Sequence, residues 1–456
     1  MRFTAYPKYK PSGVEWLGDV PEHWDVKRGR FCMDVNPGSR RMRALRPEDE
    51  VSFVPMEAVG EYGGLDLGQT RAIADVGSCY TEFEDGDVVV AKITPCFENG
   101  KGALATGLLN GAAFGTTELH VLRAAPILER RFLFYFSISR LFRSTGEGEM
   151  YGAGGQKRVP PEFCENVRLP LPPIDDQRAI ANFLDGETAK IDTLVAKKRT
   201  LIERLTEKRT ALISRTVTRG LPPDAARAAG LDPHPKLKPS GIDWLGDVPE
   251  HWNVLPFTKY VTEKSDYRGK TPEKTQDGVF LVTAKNVRLG YIDYESSQEY
   301  VAEDEYDDIM RRGLPRKGDI LFTTEAPLGN VALVDREDVA LAQRIIRFRM
   351  KPEYFSDRFA LYGMMSDHFQ LQLQSLSTGS TAEGLKASKL PILRLVAPPL
   401  HEQRAIATFL DAATAQIDAM VTKVETAIER LQEYRTALIA AAVTGEIDVR
   451  RERNGG

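Results

Sequence analysis

At 456 residues the chain is long enough for two to four domains, each with a core of its own. Apolar residues make up 42% of it and charged residues 28%, a balance typical of soluble globular proteins. The sequence shows no signal peptide and no apolar run near eighteen residues, and its four cysteines lack CxxC spacing. We therefore expect a cytoplasmic protein without a membrane span, zinc site or disulfide framework. The net charge of −4 leaves nucleic-acid binding open, because charged patches matter more than totals.

The first recognisable segment, Lys8–Val26, returns as Lys236–Val254 with fifteen of nineteen positions identical. We name each copy a tryptophan box, because the two copies contain all four tryptophans of the chain. Packing anchors are the favoured role for these tryptophans, and platforms for stacked bases are the alternative. The histidines at matching places, His23 and His251, are expected to hydrogen-bond within their turns.

The stretch after the first box, Lys27–Arg46, carries seven basic residues and one acid. It is interpreted either as a solvated loop or as a patch that faces phosphates. Short β-branched and aromatic runs between Val51 and Arg123 then predict strands separated by glycine turns. Arg130–Phe142 is a helix candidate, and Ser144–Arg158 a glycine-rich loop.

Two long helices are predicted, over Asp175–Thr218 and Glu402–Thr444. Each is introduced by a related segment, LPPIDDQRAI or APPLHEQRAI. Their apolar residues follow a heptad, typical of a coiled coil about 60 Å long. The seam residues are Ile180, Leu184, Ile191, Leu194, Leu201, Leu205 and Leu212 in the first helix and Ile406, Leu410, Ile417, Met420, Val424, Leu431 and Leu438 in the second.

Between the helices lies a Pro- and Ala-rich linker followed by the second tryptophan box and a diverged copy of the strand region. Gly86–Pro95 (GDVVVAKITP) corresponds to Gly318–Pro327 (GDILFTTEAP), and Ser377–Lys389 takes the place of the first glycine-rich loop. The order is thus variable domain, long helix, variable domain, long helix. Such a pattern indicates a shared scaffold that carries two parts with different specificities.

Catalytic signatures are missing from the sequence. It has no GxxxxGK[ST] phosphate loop, no GxGxxG turn, no GxSxG elbow, no HExxH pair and no methyltransferase motif of the Asn-Pro-Pro type. Asp87 and Lys92 faintly suggest a nuclease strand, but the Glu-x-Lys spacing is absent. The six histidines do not cluster as metal ligands; His120 is expected in a core or on a sheet face.

Taken together, the two boxes, KITPCFENGK, EAPLGNVAL, the two PP-x-x-x-QRAI segments and the RTALI ends resemble the specificity subunit of type I restriction-modification systems. The resemblance spans nearly the whole chain. It implies a non-catalytic subunit with an α+β fold, in which two mixed α/β target recognition domains alternate with two long helices. The helices would pair as an antiparallel coiled coil around a pseudo-twofold axis.

The resemblance also implies a function. Each recognition domain would read one half of an asymmetric, bipartite site in double-stranded DNA, and the helices would fix the gap. Two modification subunits would bring S-adenosylmethionine and methylate adenine N6, restriction (motor-nuclease) subunits would join them, and this chain would hold no cofactor or metal. The implied segments are residues 1–172 and 236–398 for the recognition domains, 173–219 and 399–446 for the helices, 220–235 for the linker and 447–456 for a tail.

DNA contacts are predicted for basic, hydroxyl and amide side chains near glycine-rich turns, because these groups donate to phosphates and read base edges. In the first domain the candidates are Lys92, Thr94, Lys101, Gln156, Lys157 and Arg158, with Arg40, Arg41 and Arg43 on phosphates. In the second domain they are Thr324, Gln343, Arg344, Ser380, Thr381 and Lys386. Two other classes of protein remain open: a coiled-coil adaptor without DNA binding, and a nuclease built on the strand regions.

Overall fold

The computed structural model describes residues 4–76, 79–152, 155–267, 272–377 and 384–450. The chain divides into two compact units. The first unit comprises Met1–Lys198 and Thr426–Gly456, and the second comprises Arg199–Glu425. Each unit therefore contains one globular domain and part of each long helix. We call the described residues up to Leu171 the first domain, and Leu237–Ala397 the second domain.

The first domain is built mainly from short strands. They are β1 (Tyr9–Pro11), β2 (Asp19–Pro21), β3 (Asp25–Arg28), β4 (Met33–Val35), β5 (Glu50–Val54), β6 (Thr70–Ala72), β7 (Thr81–Glu84), β8 (Val88–Ala91), β9 (Gly102–Leu104), β10 (Ala112–Gly115), β11 (Leu119–Ala124) and β12 (Arg168–Leu171). The helices are α1 (Arg130–Ile138), α2 (Arg140–Gly148) and α3 (Pro161–Asn166).

Two four-stranded sheets form the centre of this domain, in the orders β6-β5-β10-β7 and β4-β11-β8-β9. In the first of these sheets β5 and β10 run parallel, whereas the second sheet is antiparallel throughout. All four residues of β8 are buried, which explains why its sequence is VVVA rather than an alternating pattern. Strands predicted between Val51 and Arg123 are thus present, among them β5, β8 and β11.

The prediction for the segment after these strands was partly wrong. The single helix expected over Arg130–Phe142 is two helices, α1 and α2. They meet at Ser139, whose extended backbone ends α1 and whose side chain caps α2 by accepting from the N–H of Phe142. Because α2 extends to Gly148, the first part of the predicted glycine-rich loop is helical.

The first long helix, α4, spans Ile174–Arg219, close to the predicted bounds. Prolines at 172 and 173 precede it, and Gly220, with a φ of +90°, follows it. The Pro- and Ala-rich linker contains a short helix, α5 (Pro223–Ala228), which sequence analysis did not anticipate.

The second domain repeats the plan of the first. Its strands are β13 (Leu237–Pro239), β14 (Asp247–Pro249), β15 (Asn253–Pro256), β16 (Val261–Asp266), β17 (Val279–Val282), β18 (Tyr300–Val301), β19 (Ile320–Thr323), β20 (Val331–Leu333), β21 (Val339–Leu341), β22 (Ile345–Met350) and β23 (Arg394–Ala397). Its helices are α6 (Tyr306–Ile309), α7 (Asp357–Met365) and α8 (Asp367–Leu376), and the second long helix is α9 (Leu400–Thr444).

The sheets of the second domain follow the orders β16-β22-β19-β20 and β18-β17-β21. The first is antiparallel, and β17 pairs with β21 in parallel. Each tryptophan box ends in a strand that pairs with the strand directly before a long helix: β3 with β12, and β15 with β23. The repeated sequence of the boxes therefore coincides with the places where the domains join the helices.

The two long helices pair antiparallel within each unit. In the core of the first unit, Leu184 near the start of α4 lies in one apolar cluster with Leu438 near the end of α9. In the second unit, Leu410 near the start of α9 shares a cluster with Ile213 near the end of α4. The start of one helix thus packs with the end of the other, as the predicted antiparallel arrangement requires.

The heptad seam is buried only near the helix ends. Ile180 and Leu184 are fully buried, whereas Leu194 is 46% exposed, Leu201 44% and Met420 52%. The seam residues near the helix ends are buried because they pack into the domain cores. The apolar heptad pattern continues along the middle of each helix, where Leu194, Leu201 and Met420 are exposed. A continuous buried seam is therefore not formed.

Within the described ranges, no helix is both long and apolar enough to cross a membrane.

Candidate nucleic-acid interface

The tryptophan boxes are joints between domain and helix. Trp24 and Trp252 are almost completely buried, as expected for packing anchors. The expectation for the histidines was wrong, because they bond across to the helices rather than within the turn. His23 Nε2 lies 2.9 Å from Asp176 in α4, and His251 Nε2 lies 2.7 Å from Glu402 in α9.

The glutamine of each QRAI segment is a second joint. Gln177 is fully buried, donates from Nε2 to the carbonyls of Ile127 and Pro172, and accepts from the backbone N–H of Glu129. Gln403 makes the equivalent three bonds, to the carbonyls of Tyr354 and Pro398 and from the N–H of Ser356. Because a buried amide left unpaired is costly, these bonds fix each domain on the start of its helix.

A tyrosine in α1 of the first domain and one in α7 of the second domain repeat the arrangement. The hydroxyl of Tyr135 donates to Asp185 of α4 at 2.7 Å, and that of Tyr362 donates to Asp411 of α9 at 2.8 Å. Desolvation raises the pKa of Tyr362 to about 12, so this hydroxyl keeps its proton and its donor role. The repeated residues thus hold the domains, which leaves the diverged loops for other functions.

In the first domain, candidates from two distant segments meet at the end of β8, beside the residue before β11. Thr94 donates both its backbone N–H and its hydroxyl to the carbonyl of Lys157, at 3.0 and 3.1 Å. The N–H of Lys92 donates to the carbonyl of Glu118, just before β11. Lys92, Thr94 and Lys157 therefore lie together on one surface. Arg41 bonds to Glu84 and Asn110 and is not part of this surface.

The guanidinium of Arg158 is held by Glu118 on this surface. Its Nε donates at 2.9 Å to Oε2 and its Nη2 at 2.8 Å to Oε1, a two-pronged ion pair. The hydrogen bonds from Arg158 lower the pKa of the Glu118 carboxyl below its usual range. Arg158 thus shapes the loop, and its charge is largely balanced by Glu118.

Two further candidates are occupied by contacts within the chain. Lys101 Nζ donates to the carbonyl of Met56 at 3.0 Å, and Arg41 Nε donates to the carbonyl of Asn110 at 3.0 Å. Four candidates of the first domain are exposed and have no ion pair within the described ranges: Arg40, Arg43, Gln156 and Lys157.

In the second domain the corresponding surface lies at the end of β19. Thr324 is only 2% exposed, and its N–H and hydroxyl both donate to the carbonyl of Arg344, so this candidate does not face solvent. Gln343 is half-buried, and Arg344 and Lys386 are exposed. Ser380 and Thr381 lie outside the described residues.

The two surfaces differ in the sign of a charge at one equivalent position. β11 and β22 both pair antiparallel with the central strand of their sheet, β8 or β19. Directly before β11 stands Glu118, and directly before β22 stands Arg344. Glu118 is paired with Arg158, whereas Nε of Arg344 lies 3.3 Å from Glu325. The same position of the repeated sheet therefore holds an acidic residue in the first domain and a basic residue in the second.

The nuclease interpretation finds no support at Asp87. This carboxylate is 1% exposed and accepts from Nε and Nη2 of Arg123, each at 2.7 Å. Asp319 and Arg349 form the equivalent pair in the second domain. Asp87 and Asp319 thus each bind an arginine of a neighbouring strand and so stabilise the central sheet of their domain. Among the residues with described positions, no group of three or more acidic, His or Cys side chains is arranged to hold a metal ion.

Comparison with known proteins gives consistent matches. The model of the type I restriction modification DNA specificity domain matches residues 268–430. Over 164 residues the chain is 39% identical to the EcoAI specificity subunit of Escherichia coli, an alignment that covers 36% of this chain and 27% of that relative. The MjaVIII specificity subunit of Methanocaldococcus jannaschii is 24% identical over 440 residues, 94% of each chain.

A solved structure shares the fold. A chain from work on complex assembly and conformational transition of the type I R-M system aligns with a TM-score of 0.64 at 18% identity. The alignment covers 94% of this chain and 99% of that one, so both domains and both helices have counterparts. Together the family model, the relatives and the shared fold show that this chain is similar to type I restriction-modification specificity subunits.

Proposed function

We propose that the chain is the DNA-recognition subunit of a type I restriction-modification complex. It reads a bipartite, asymmetric site in double-stranded DNA, one half with residues 1–172 and the other with residues 236–398. The long helices hold the two reading domains at a fixed separation. A stiff helix pair suits this role, because a flexible linker would let the gap vary.

The observation that carries the proposal is the contrast between repeated joints and diverged loops. His23, Gln177 and Tyr135 have counterparts in the second domain whose partners stand at equivalent positions. The surfaces at the ends of β8 and β19 keep the same backbone bonds but exchange Glu118 for Arg344. Two domains held identically but carrying different chemistry are suited to reading two different sequences.

The predicted contact residues fall into two groups, those whose side chains can reach DNA and those whose side chains are bonded within the chain. Exposed side chains, together with the half-buried Gln343, take phosphates or base edges: Arg40, Arg43, Gln156, Lys157, Gln343, Arg344 and Lys386. Lys92 lies at the same surface and is half-buried. Arg41, Thr94, Lys101, Arg158 and Thr324 support the loops through the bonds described above.

The chain itself is proposed to be non-catalytic. Two modification subunits would supply S-adenosylmethionine and methylate adenine N6, and restriction subunits would add the motor and nuclease, all in the cytoplasm where the DNA is. The two antiparallel helices offer these subunits two equivalent surfaces related by the internal repeat. An adaptor without DNA binding would share the helices but would have no need of two differing polar surfaces.

Reconstitution tests the proposal. The purified chain is incubated with genomic DNA and S-adenosylmethionine, with and without its modification subunit, and methyl transfer and cleavage are measured. We expect neither activity from the chain alone and sequence-specific methylation once the modification subunit is added. Methylation or cleavage by the chain alone, or a complex that methylates without sequence preference, would refute the proposal.

A further inference from the structure

A pocket of about 230 Å³, lined by both apolar and charged residues, opens in the second domain at the carboxyl ends of two parallel strands. β17 and β21 pair in parallel from Phe280 with Val339 to Val282 with Leu341. Thr283 follows β17 and Ala342 follows β21, and both residues line the pocket. Pockets at this edge of parallel strands are preferred ligand sites, because the diverging loops leave a cleft between them.

Cationic and amide donors surround the pocket. Lys274, Lys285, Gln343 and Arg344 line it, with Glu299 as the acidic lining residue. Lys274 Nζ is paired with Glu299 at 2.8 Å. Within the described ranges, Lys285 has no ion pair and the Gln343 amide no hydrogen bond. The pocket thus presents unused donors and a surplus of positive charge, a combination suited to duplex DNA.

Arg344 is held in a defined orientation. Its φ of +76° lies in the left-handed region that non-glycine residues rarely adopt, and its carbonyl accepts from the N–H and hydroxyl of Thr324. The ion pair with Glu325 uses Nε, at 3.3 Å, and leaves the two terminal nitrogens available. A guanidinium anchored in this way can donate two parallel bonds to one base edge.

We propose that this pocket is the base-reading edge of the second domain and that Gln343 and Arg344 read neighbouring base pairs in the major groove. The Gln343 amide recognises adenine through N6 and N7, and the terminal nitrogens of Arg344 recognise guanine through O6 and N7. Lys285 binds an adjacent phosphate. This inference rests on the proposed function and adds the residues and the base types.

The first domain provides the contrast. The N–H of Thr116 donates to Val54 in the parallel pair of that domain, as the N–H of Ala342 donates to Val282 in the second. Thr117 and Glu118 therefore occupy the positions of Gln343 and Arg344. A hydroxyl and a paired carboxylate cannot make the same bidentate contacts, so the two half-sites should differ at the base pairs that face this edge.

The test uses the chain assembled with its modification subunit. Four variants are compared with the wild type: Gln343→Ala, Arg344→Ala, Lys285→Ala and, as a matched control elsewhere in the domain, Lys259→Ala. The methylated motif is read by sequencing of genomic DNA. Relative affinities are read by competition among duplexes randomised in the second half-site, which gives a result even for a variant that no longer methylates.

We expect Gln343→Ala to lose discrimination at one A·T pair and Arg344→Ala at the neighbouring G·C pair, each by roughly 5- to 150-fold. Lys285→Ala should weaken all sequences equally, and Lys259→Ala should change nothing. If the wild type methylates a bipartite site and both pocket variants keep every preference, the inference is wrong and the proposed function stands. If the wild type shows no sequence-specific DNA binding, both fail.

Discussion

Arg435 of α9 lies 3.5 Å from Asp192 of α4, an ion pair that joins the two long helices within the first unit. The second unit contains its counterpart, Arg209 of α4 at 3.0 Å from Asp418 of α9. Each aspartate is the second residue of an Ile-Asp pair in the repeat, and each arginine begins an RTALI segment. The internal repeat thus maps one cross-helix contact onto the other.

The single substitutions Asp176→Glu and Glu402→Asp should change the free energy of unfolding in opposite directions. In the second domain Glu402 accepts from both His251 and the indole N–H of Trp252, at 2.7 and 2.9 Å. In the first domain Asp176 is shorter by one methylene, and the buried indole N–H of Trp24 has no hydrogen-bond partner. Supplying that acceptor should be worth about 1 kcal/mol.

We therefore expect Asp176→Glu to raise the free energy of unfolding and Glu402→Asp to lower it by a similar amount. Urea titration followed by tryptophan fluorescence measures both, and each variant is the control for the other. A destabilised Asp176→Glu protein would mean that the longer side chain cannot reach the indole.

Acid should destabilise the first domain through His120. Its Nε2 lies 2.9 Å from the carbonyl of Val159, and its Nδ1 lies 3.3 Å from the amide nitrogen of Asn36, which fits a neutral ring. Burial lowers its pKa below the ordinary value of 6.5. The unfolded chain then binds a proton that the folded chain rejects, so stability falls as pH drops through about 6.5 and levels off below the folded pKa.

His120→Gln, which keeps a donor and an acceptor but does not titrate, should remove this part of the pH dependence. The measurement is the difference in unfolding free energy between wild type and variant from pH 8 to pH 5. Equal slopes for the two proteins would show that the imidazole is not the titrating group. The second domain has Ile346 in the equivalent strand position and should lack the effect.

Two neighbouring cations of the first domain should behave differently on mutation. Lys157 is exposed and unpaired in the described ranges, so Lys157→Ala should weaken DNA binding and reduce the salt slope by up to about 0.9. Arg158 is paired with Glu118, so Arg158→Ala should mainly reduce stability and leave the slope nearly unchanged. Affinity measured at several salt concentrations distinguishes them, and identical slopes for both variants would contradict the assignment.

The sequence predicted the architecture because repeats and heptads are local patterns. Both long helices, the central strands and the burial of Trp24 and Trp252 were anticipated from them, whereas Trp244 is 38% exposed. The break at Ser139 was missed because an apolar run does not reveal a capping serine between two short helices. The partners of His23 and Gln177 were missed because they depend on the tertiary meeting of box and helix.

Candidate contact residues were harder to predict than elements. A basic or hydroxyl residue beside glycine has the same appearance in sequence whether its donor faces solvent or a carbonyl. Lys101 and Thr324 proved to be bonded to backbone carbonyls, and Arg158 to Glu118. The lining of the second-domain pocket by Lys274 and Lys285 could not be foreseen, because strand pairing brings these residues to Gln343 from elsewhere in the chain.

The cross-helix ion pairs determine how the spacing between the reading domains can be altered. Asp192 and Arg209 are seventeen positions apart in α4, and Asp418 and Arg435 are seventeen positions apart in α9. An insertion near Thr200 in α4 alone would lengthen one helix between the two contacts and leave the other unchanged. A matched insertion in both helices keeps both ion pairs. Four residues add about 6 Å and about 400° of turn, so the helix faces stay in phase.

The methylated motif of this matched four-residue insertion tests the central claim most directly. About 6 Å corresponds to nearly two base pairs of B-DNA at about 3.4 Å each. We predict that sequencing of methylated DNA will show both half-sequences unchanged and a gap longer by about two base pairs. Matched insertions of two or three residues, which turn the helix faces out of phase, should instead impair folding or methylation. A four-residue variant that methylates the original motif with the original gap would show that the helices do not set the spacing.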